Sequence, residues 1–341
     1  MKDFLYILLG ISILAPIYTY AIYPCVLRLF KPKSRNIKDD YSPFVTVLII
    51  GEHEMKCKEK ERIVREANYT NIAEVITAKS QKEAAVILTQ IHSEVILVTD
   101  EDSIFQKNSI SEVVKALSDP DIGCVCGMVR KQPNEQGEFY DGANWKYENK
   151  IKILESKIGC LSGANNSIYA YKRDKGPSKF DPKINLDFYI PTFITELGCD
   201  VCFESKAIAY EAPDRTESDL FKKHVKDGSS GFWSMIRFWK LLLPRKGSFV
   251  FWSHRVMKWL VPINMLILLI GCAVWADQQL WALPFFILQV LFYVYTITYY
   301  LLFTQKGKCL SGTIGKLSGF ASYFVMLNVS WFLGFYKAIT R

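Results

Sequence analysis

The sequence lacks several patterns that would assign a function at once. Its 4 histidines in 341 residues are scattered, so neither a histidine-based metal site nor a Ser/His/Asp triad is predicted. It has no glycine-rich phosphate loop of the dinucleotide-binding or Walker type. The 9 cysteines show no framework spacing, which excludes a small disulfide-stapled fold and favours a reducing compartment.

Charge is also scarce, whereas hydrophobic residues are abundant. Charged residues make up 22% of the chain and hydrophobic residues 50%, with 14% aromatic. This balance excludes intrinsic disorder and is unusual for a wholly soluble protein. A net charge of +8 is typical of a membrane protein with basic cytoplasmic flanks, so nucleic acid is not an expected partner. We therefore expect part of the chain to lie in a bilayer.

An uncharged run near the amino terminus predicts a transmembrane anchor over residues 1–30. Residues 4–27 carry no charge and are long enough to cross about 30 Å of hydrocarbon. A cleaved signal peptide is basic in front of its apolar run, but here the basic residues follow it, namely Arg28, Lys31, Lys33, Arg35 and Lys38. By the positive-inside rule, the next domain lies in the cytoplasm, as at a bacterial-type inner membrane.

The carboxy-terminal residues 257–341 predict about three further transmembrane helices. The apolar segments are 259–276, 280–303 and 317–338. Polar residues interrupt the last segment, which spans the bilayer, packs on the other helices or lies in the interface. Before them, residues 231–256 mix aromatic and basic side chains, which predicts an interfacial amphipathic segment; a helix with a core-facing apolar stripe fits equally. Membrane lipids are thus expected partners.

Residues 40–230 form an insert of ordinary domain size with an α/β pattern. Strands are predicted at 44–50, 74–77 and 94–99, and helices at 58–68 and 81–91. The alternation predicts a doubly wound, mostly parallel sheet, whose ligands bind at the carboxyl ends of the strands.

Three acids, Asp100, Glu101 and Asp102, follow the third predicted strand. Adjacent carboxylates repel one another, and a divalent cation bound to a diphosphate would explain them at a strand end. The alternative is a solvated acidic loop. The pattern therefore predicts an Mg²⁺ or Mn²⁺ site at this edge of the sheet.

The order of motifs along the chain is typical of one family. The motifs are the strand and turn at 45–54, the D-x-D of Asp100 and Asp102, the segments 145–148 and 154–156, the run 161–170, Asn185-Leu186-Asp187, the strand-like run 202–211, the basic segment 221–226 and the segment 253–262. Together they resemble the membrane-bound inverting glycosyltransferases of family 2, which have a GT-A fold. The resemblance covers nearly the whole chain.

The resemblance implies a nucleotide-sugar donor, a divalent cation and a lipid-linked or membrane-presented acceptor. It assigns Asp187 as the catalytic base and Asp102 with Asp100 as the cation ligands. Donor binding is assigned to Glu54, Asp100, Gly163, Ala164, Lys222, Lys223 and Lys226, and the acceptor side to Trp145 and Glu148. The residues alone also fit a helix N-cap for Asp187, a packed helix face for Trp145 and Glu148, and a lipid-binding patch for the lysines.

The chain also departs from the family pattern. Ala78-Lys79-Ser80 stands where the family often has an acid that contacts the base, and Leu186 replaces a second acid beside Asp187. The Q-x-x-R-W signature of processive synthases is absent, and with about four spans this favours adding one sugar, preferably from UDP, in polysaccharide or glycolipid synthesis. The departures leave a second hypothesis open, a catalytically degenerate membrane scaffold or partner subunit.

Overall fold

The computed structural model of the protein describes residues 2–132, 143–211, 217–304, 310 and 312–340, and the chain divides into two compact units. The helical unit comprises Met1–Tyr23, Asp214–Ile236 and Ser253–Arg341, and the sheet unit comprises Pro24–Pro213 and Arg237–Trp252. The chain therefore leaves the sheet unit and returns to it once.

The described elements follow in chain order. The helices are α1 (Lys2–Ile17), α2 (Tyr23–Leu29), α3 (Glu54–Arg65), α4 (Gln81–Gln90), α5 (Ser109–Ala116), α6 (Ala143–Ser156), α7 (Leu186–Glu196), α8 (Glu217–Arg237), α9 (Ser248–Val250), α10 (Met257–Val274), α11 (Ala282–Leu302) and α12 (Gly312–Thr340). Short π-helical turns occupy Tyr18–Ile22 and Phe251–Val256, and 3₁₀ turns occupy Arg173–Lys175 and Trp239–Leu242. The strands are β1 (Val45–Ile50), β2 (Ile72–Ala78), β3 (Val95–Asp100), β4 (Ser103–Phe105), β5 (Ile122–Lys131), β6 (Tyr169–Lys172) and β7 (Asp200–Glu211).

Within the described ranges, four helices are long and apolar enough to cross a membrane, namely Tyr6–Leu29, Ser248–Val274, Ala282–Leu302 and Gly312–Thr340. They coincide with the four apolar segments of the sequence. The last is a continuous helix despite its polar residues, because Ser318 Oγ and Asn328 Nδ2 each donate at 2.8 Å to a carbonyl four residues earlier.

Helix α8 packs closely against α12 inside the helical unit. A Cβ on Gly228 would lie 2.8 Å from the backbone of Trp331, and one on Gly334 would lie 2.4 Å from the carbonyl oxygen of Val225. Only glycine permits such an approach of two helix backbones. The amphipathic pattern from residue 231 is thus the end of a longer helix, since α8 begins at Glu217 and ends at Arg237.

The sheet unit is built on one seven-stranded sheet in the order β2-β1-β3-β6-β5-β7-β4. The first three predicted strands and both predicted helices are present within a few residues of their expected bounds. Alternate side chains of β1 enter the two apolar layers, Val47 and Ile49 on one face and Leu48 on the other. Both faces are covered, which explains why these strands read as continuous apolar runs.

The sheet is mixed, with most of its strands in one direction, as expected, and two in the other. Strands β1, β2, β3, β5 and β7 run in one direction, while β6 and β4 run in the other, so three of the six strand pairs are antiparallel. Strand β6 inserts between β3 and β5. Pairing between segments this far apart in sequence leaves no local pattern, since an antiparallel strand buried on both faces is as apolar as a parallel one.

Candidate functional site

Segments that carry five of the predicted site residues converge at one edge of the sheet, here called the carboxyl edge. Ile50 of β1 lies opposite both Ala78 of β2 and Asp100 of β3, so these three parallel strands end together. Val98 lies opposite Tyr169 of the antiparallel β6, which brings the loop before β6 to the same edge. The carboxyl edge therefore collects residues 51–54, 78–81, 100–102 and 162–168.

Asp100, the last residue of β3, is held through both carboxylate oxygens. Its Oδ1 accepts the N–H of Ser103 at 2.9 Å, and its Oδ2 lies 3.2 Å from the hydroxyl of Ser167. The same hydroxyl also contacts Glu211 at the end of β7. One hydroxyl proton serves one carboxylate at a time, and the Glu211 carboxylate also lies 3.8 Å from the ammonium of Lys131.

Asp102 lies on the turn after β3 and is accessible, with 40% of its side chain exposed. Its Oδ1 lies 2.6 Å from the ammonium of Lys56, which belongs to α3. Carboxylate oxygens suit Mg²⁺ or Mn²⁺, but across the described ranges no group of three or more His, Cys, Asp and Glu side chains could hold a metal ion.

Glu101, the middle acid, belongs to the turn after β1. Its carboxylate accepts the backbone N–H of His53 at 2.8 Å and lies 2.6 Å from that ring's Nδ1. Burial disfavours the charged carboxylate, but these hydrogen bonds outweigh it and hold the pKa of Glu101 below its usual range. A Cβ on Gly51 would come 2.3 Å from the same carboxylate, so the turn requires glycine. The predicted acidic trio thus consists of one accessible acid, Asp102, one acid held by two serines, Asp100, and one acid that stabilises the turn after β1, Glu101.

Lys60 of α3 is buried behind the D-x-D turn with only 1% of its surface exposed. Its ammonium donates to the carbonyl and the hydroxyl of Ser103, at 2.6 and 2.8 Å, and lies 3.5 Å from the ring centroid of Phe105. Since Ser103 binds Asp100, Lys60 braces the turn from inside the protein. Burial lowers the pKa of Lys60 to about 7.

This depressed pKa predicts a rise in stability with pH above neutrality. Between about pH 7 and 10.5 the unfolded chain holds a proton on Lys60 that the folded chain does not, so the free energy of unfolding increases by up to about 1.4 kcal/mol per pH unit. We expect the thermal unfolding midpoint of Lys60→Met in detergent to fall relative to wild type between pH 7 and 9.5. The exposed Lys58→Met is the control, and a constant difference for Lys60→Met would refute the argument.

Hydrogen bonds from neighbouring segments hold the loop at 162–165 in place. The N–H of Ser162 donates at 3.0 Å to the fully buried carboxylate of Glu155 on α6. Lys152, one turn earlier on α6, donates to the carbonyl oxygen of Ala164 at 3.3 Å. Asn165 Nδ2 donates at 2.7 Å to the carbonyl oxygen of Gly127 on β5. Gly163 and Ala164 are buried in a preformed loop beside the end of β3.

Asp187 is half-buried in the first turn of α7, close to this loop. Asn185 occupies the N-cap position of α7, so the alternative in which Asp187 caps this helix is wrong. The N–H of Leu186 donates at 3.0 Å to Gln81 Oε1, and the N–H of Ala164 donates at 2.8 Å to the backbone carbonyl of Asp187. Burial, and to a lesser extent the charge of Asp187, raise the pKa of the enclosed Tyr169 phenol. The structure thus joins Asp187 to the loop of Gly163 and Ala164.

The other end of α7 is clamped by the returning segment Arg237–Trp252. Gly198 ends the helix in a left-handed conformation, with its N–H on the Thr195 carbonyl at 3.0 Å. Arg237 Nη1 lies 3.5 Å from the carboxylate of Glu196, the last residue of α7. Lys246 donates at 2.5 Å to the carbonyl oxygen of Gly198. Both ends of the helix that carries Asp187 are therefore fixed within the sheet unit.

Asp200, at the start of β7, is a buried carboxylate surrounded by cations. Its side chain is fully buried, and its oxygens contact Lys33 at 2.7 Å, Lys246 at 2.5 Å and Arg35. Burial opposes ionisation, but the hydrogen bonds from these three cations hold the pKa of Asp200 below its usual range. Lys33 and Arg35, two of the basic residues that follow the predicted anchor, therefore bind Asp200 in addition to the role in membrane topology that the sequence predicts.

Two further positions at the carboxyl edge are Glu54 and Lys79. Glu54 begins α3 with an exposed carboxylate, whose hydrogen bond from Lys58 at 2.7 Å lowers its pKa. After β2 the edge has an exposed lysine, Lys79, where the resemblance predicts an acid. The N–H of Lys79 donates to Glu83, and Ser80 caps α4 by accepting the Glu83 N–H at 3.2 Å.

The other predicted site residues lie on helices. Lys222, Lys223 and Lys226 lie on the part of α8 that belongs to the helical unit. Trp145 and Glu148 lie on α6, where Glu148 is half-buried, whereas the side chain of Trp145 lies outside the described residues.

Several residues at the site were not identified from the sequence. Lys60, Gln81 and Ser167 act through contacts between segments distant along the chain, and no local pattern signals them. Pro191 gave a local signal, because it is a proline inside a segment with a helical pattern.

Comparison with known proteins supports the fold. No protein-family model matches the sequence, and no curated protein matches it. Among solved structures, a mannosyltransferase from Pyrobaculum calidifontis in complex with GDP-Man and Mn²⁺ aligns with a TM-score of 0.66 and 14% identity, over 97% of this chain and 99% of that chain. The structure of GalNAc-T7 with UDP, GalNAc and Mn²⁺ aligns with a TM-score of 0.37 and 10% identity, over 55% of this chain and 47% of that chain. The first alignment shows that this chain shares the mannosyltransferase's fold.

Proposed function

We propose that the protein is a membrane-bound inverting glycosyltransferase of the GT-A type, which transfers one sugar from a nucleotide-sugar donor to a lipid-linked or membrane-presented acceptor. The observation that carries the proposal is the meeting of Asp100, Asp102 and the loop at 162–165 at the carboxyl edge, with Asp187 hydrogen-bonded to that loop. It is supported by the fold shared with a mannosyltransferase that binds GDP-Man and Mn²⁺.

Inversion at the anomeric carbon requires a base on the acceptor side and charge neutralisation on the leaving-group side. Asp187 accepts the proton of the acceptor hydroxyl. Asp102 and Asp100 hold a divalent cation, Mn²⁺ or Mg²⁺, which when bound neutralises the departing nucleoside diphosphate. The backbone of Gly163 and Ala164 lies against the donor sugar, and Glu54 contacts the nucleoside. Because the loop and Asp187 share a hydrogen bond, donor and base are held in one fixed geometry.

The four apolar helices fit an integral membrane protein, and the basic residues behind the first one favour a cytoplasmic sheet unit at a bacterial-type inner membrane.

The remaining roles follow the family resemblance. Lys222, Lys223 and Lys226 bind the diphosphate. Trp145 and Glu148 line the acceptor entrance. With four spans and no processive signature, the product is a single added sugar in polysaccharide or glycolipid synthesis.

A donor screen tests the proposal. Purified full-length protein in detergent with Mn²⁺ is given UDP-glucose, UDP-galactose, UDP-N-acetylglucosamine and GDP-mannose, and released nucleoside diphosphate is measured. We expect one donor to be preferred and Asp102→Ala to lower its turnover by about 10²-fold, because the leaving group loses its charge neutralisation. Asp39→Ala, an exposed acid of the same unit, should match wild type.

The same assay separates the proposal from the alternative of a degenerate scaffold. Calorimetry with UDP and GDP in the presence of Mn²⁺ gives a second measurement on the same protein. Release from no donor together with binding of neither nucleotide would reject the enzyme and favour the scaffold. Wild-type turnover by Asp102→Ala would show that the cation ligands are wrongly assigned.

A further inference from the structure

Pro191 lies in the interior of α7, four residues after Asp187. In a regular helix the N–H of residue 191 would donate to the carbonyl oxygen of residue 187. Proline has no N–H, and its ring clashes with the carbonyl four residues earlier and turns it out of the helix. The backbone carbonyl of Asp187 is therefore denied its usual partner by the covalent structure of Pro191.

That carbonyl instead accepts the N–H of Ala164 at 2.8 Å. Ala164 is only 7% exposed, so its N–H requires a partner inside the protein. Pro191 thus leaves the Asp187 carbonyl oxygen available as an acceptor, and the N–H of Ala164 in the loop is the donor that binds it.

The segments on both sides of this hydrogen bond are themselves held by further hydrogen bonds. Lys152 donates to the carbonyl of Ala164, and Glu155 accepts the N–H of Ser162. On the helix side, Gln81 accepts the N–H of Leu186. The Ala164–Asp187 bond therefore joins two hydrogen-bonded segments, the loop with α6 and the first turn of α7.

We propose that Pro191 is a positioning residue that keeps the Asp187 carbonyl bound to Ala164, and so fixes the distance between the donor-sugar loop and the base. The inference rests on the proposed function, since it concerns the same site. Stability alone gives no reason for this residue, because proline is the most unfavourable residue inside a helix. With an N–H at position 191, the carbonyl turns back into the helix and the loop is released.

Two substitutions supply the missing N–H but differ in volume. Pro191→Ala favours the helix and removes part of a buried side chain, whereas Pro191→Val nearly retains the volume. We expect both to lower kcat by about tenfold or more while the affinity for UDP or GDP with Mn²⁺, measured by calorimetry, stays within about threefold of wild type, because the proposed contacts of the loop are with the donor sugar and not with the nucleotide. The thermal unfolding midpoint of at least one variant should equal or exceed that of wild type. The exposed Pro182→Ala, in the loop before α7, is the control.

The assay is donor-dependent nucleotide release by the full-length protein, using the best donor of the screen. Wild-type kcat in both variants overturns the inference, as does a loss of kcat only in proportion to a lowered unfolding midpoint. A wild-type protein that releases nucleotide from no donor rejects the proposed function instead, so the two failures are distinguishable.

Discussion

Replacing Asp187 by Asn is expected to lower kcat for sugar transfer by about 10²- to 10⁴-fold, the usual contribution of a general base. The amide matches the carboxylate in shape and cannot accept the acceptor's proton. The backbone carbonyl of Asp187, which binds Ala164, is unchanged, so the loop and helix keep their geometry. Donor KM and the affinity for UDP or GDP with Mn²⁺ should therefore stay near wild type.

The measurement is steady-state nucleotide release with the best donor, together with calorimetry of nucleotide binding. Asp174→Asn, an exposed acid of the sheet unit, is a matched control with the same change of charge. Equal turnover by Asp187→Asn and wild type would remove Asp187 from the role of base. A parallel loss of turnover and nucleotide binding would indicate a donor-binding role instead.

Replacing Asp200 by Ala is expected to cost about 3–5 kcal/mol of unfolding free energy, the usual effect of removing one partner from a buried ion pair. Lys33 and Lys246 are about two-fifths exposed and can turn to water, but Arg35 is only 16% exposed and is left without its carboxylate. Denaturant unfolding of the full-length protein in detergent, followed by tryptophan fluorescence, measures the loss. Asp121→Ala removes an exposed partner of Lys33 and should cost no more than about 1 kcal/mol.

The pKa of Asp200 gives this prediction a pH dependence. Its folded pKa lies below the unfolded value, so the folded state binds fewer protons and the contribution is complete at neutral pH. It is lost as pH falls below about 4 through the folded pKa. The destabilisation by Asp200→Ala should therefore shrink in acid; a difference independent of pH would show that the carboxylate is not held by the three cations.

Much of the fold could be predicted from the sequence because its signals are local. Continuous apolar runs marked β1 and β3, and uncharged stretches marked the four long helices. The site was predicted in part for the same reason, since Asp100 and Asp102 directly follow an apolar strand. The roles of Asp187, Gly163 and Ala164 came from resemblance alone, and the structure adds the contact between them.

What could not be predicted depends on pairing across long sequence separations. Strand β6 inserts antiparallel between β3 and β5, and nothing in its four residues indicates that neighbour. The basic residues Lys33 and Arg35 were interpreted by membrane topology, and their bond to Asp200, more than 160 residues away, has no local signature. Glu101 was counted with its neighbours because strand-end acids look alike until their partners are known.

The return of Arg237–Trp252 to the sheet unit means that no single cut releases this unit whole. A chain ending before residue 237 would lose the Lys246 contact with Asp200 and the Arg237 contact with Glu196. It would also lose Phe238 and Leu241, which are fully buried, and so uncover the aromatic face of Tyr189 on α7. Because the unit is discontinuous in sequence, a version without the helical unit has to keep Arg237–Trp252 joined to the rest of the sheet unit, which truncation alone does not achieve.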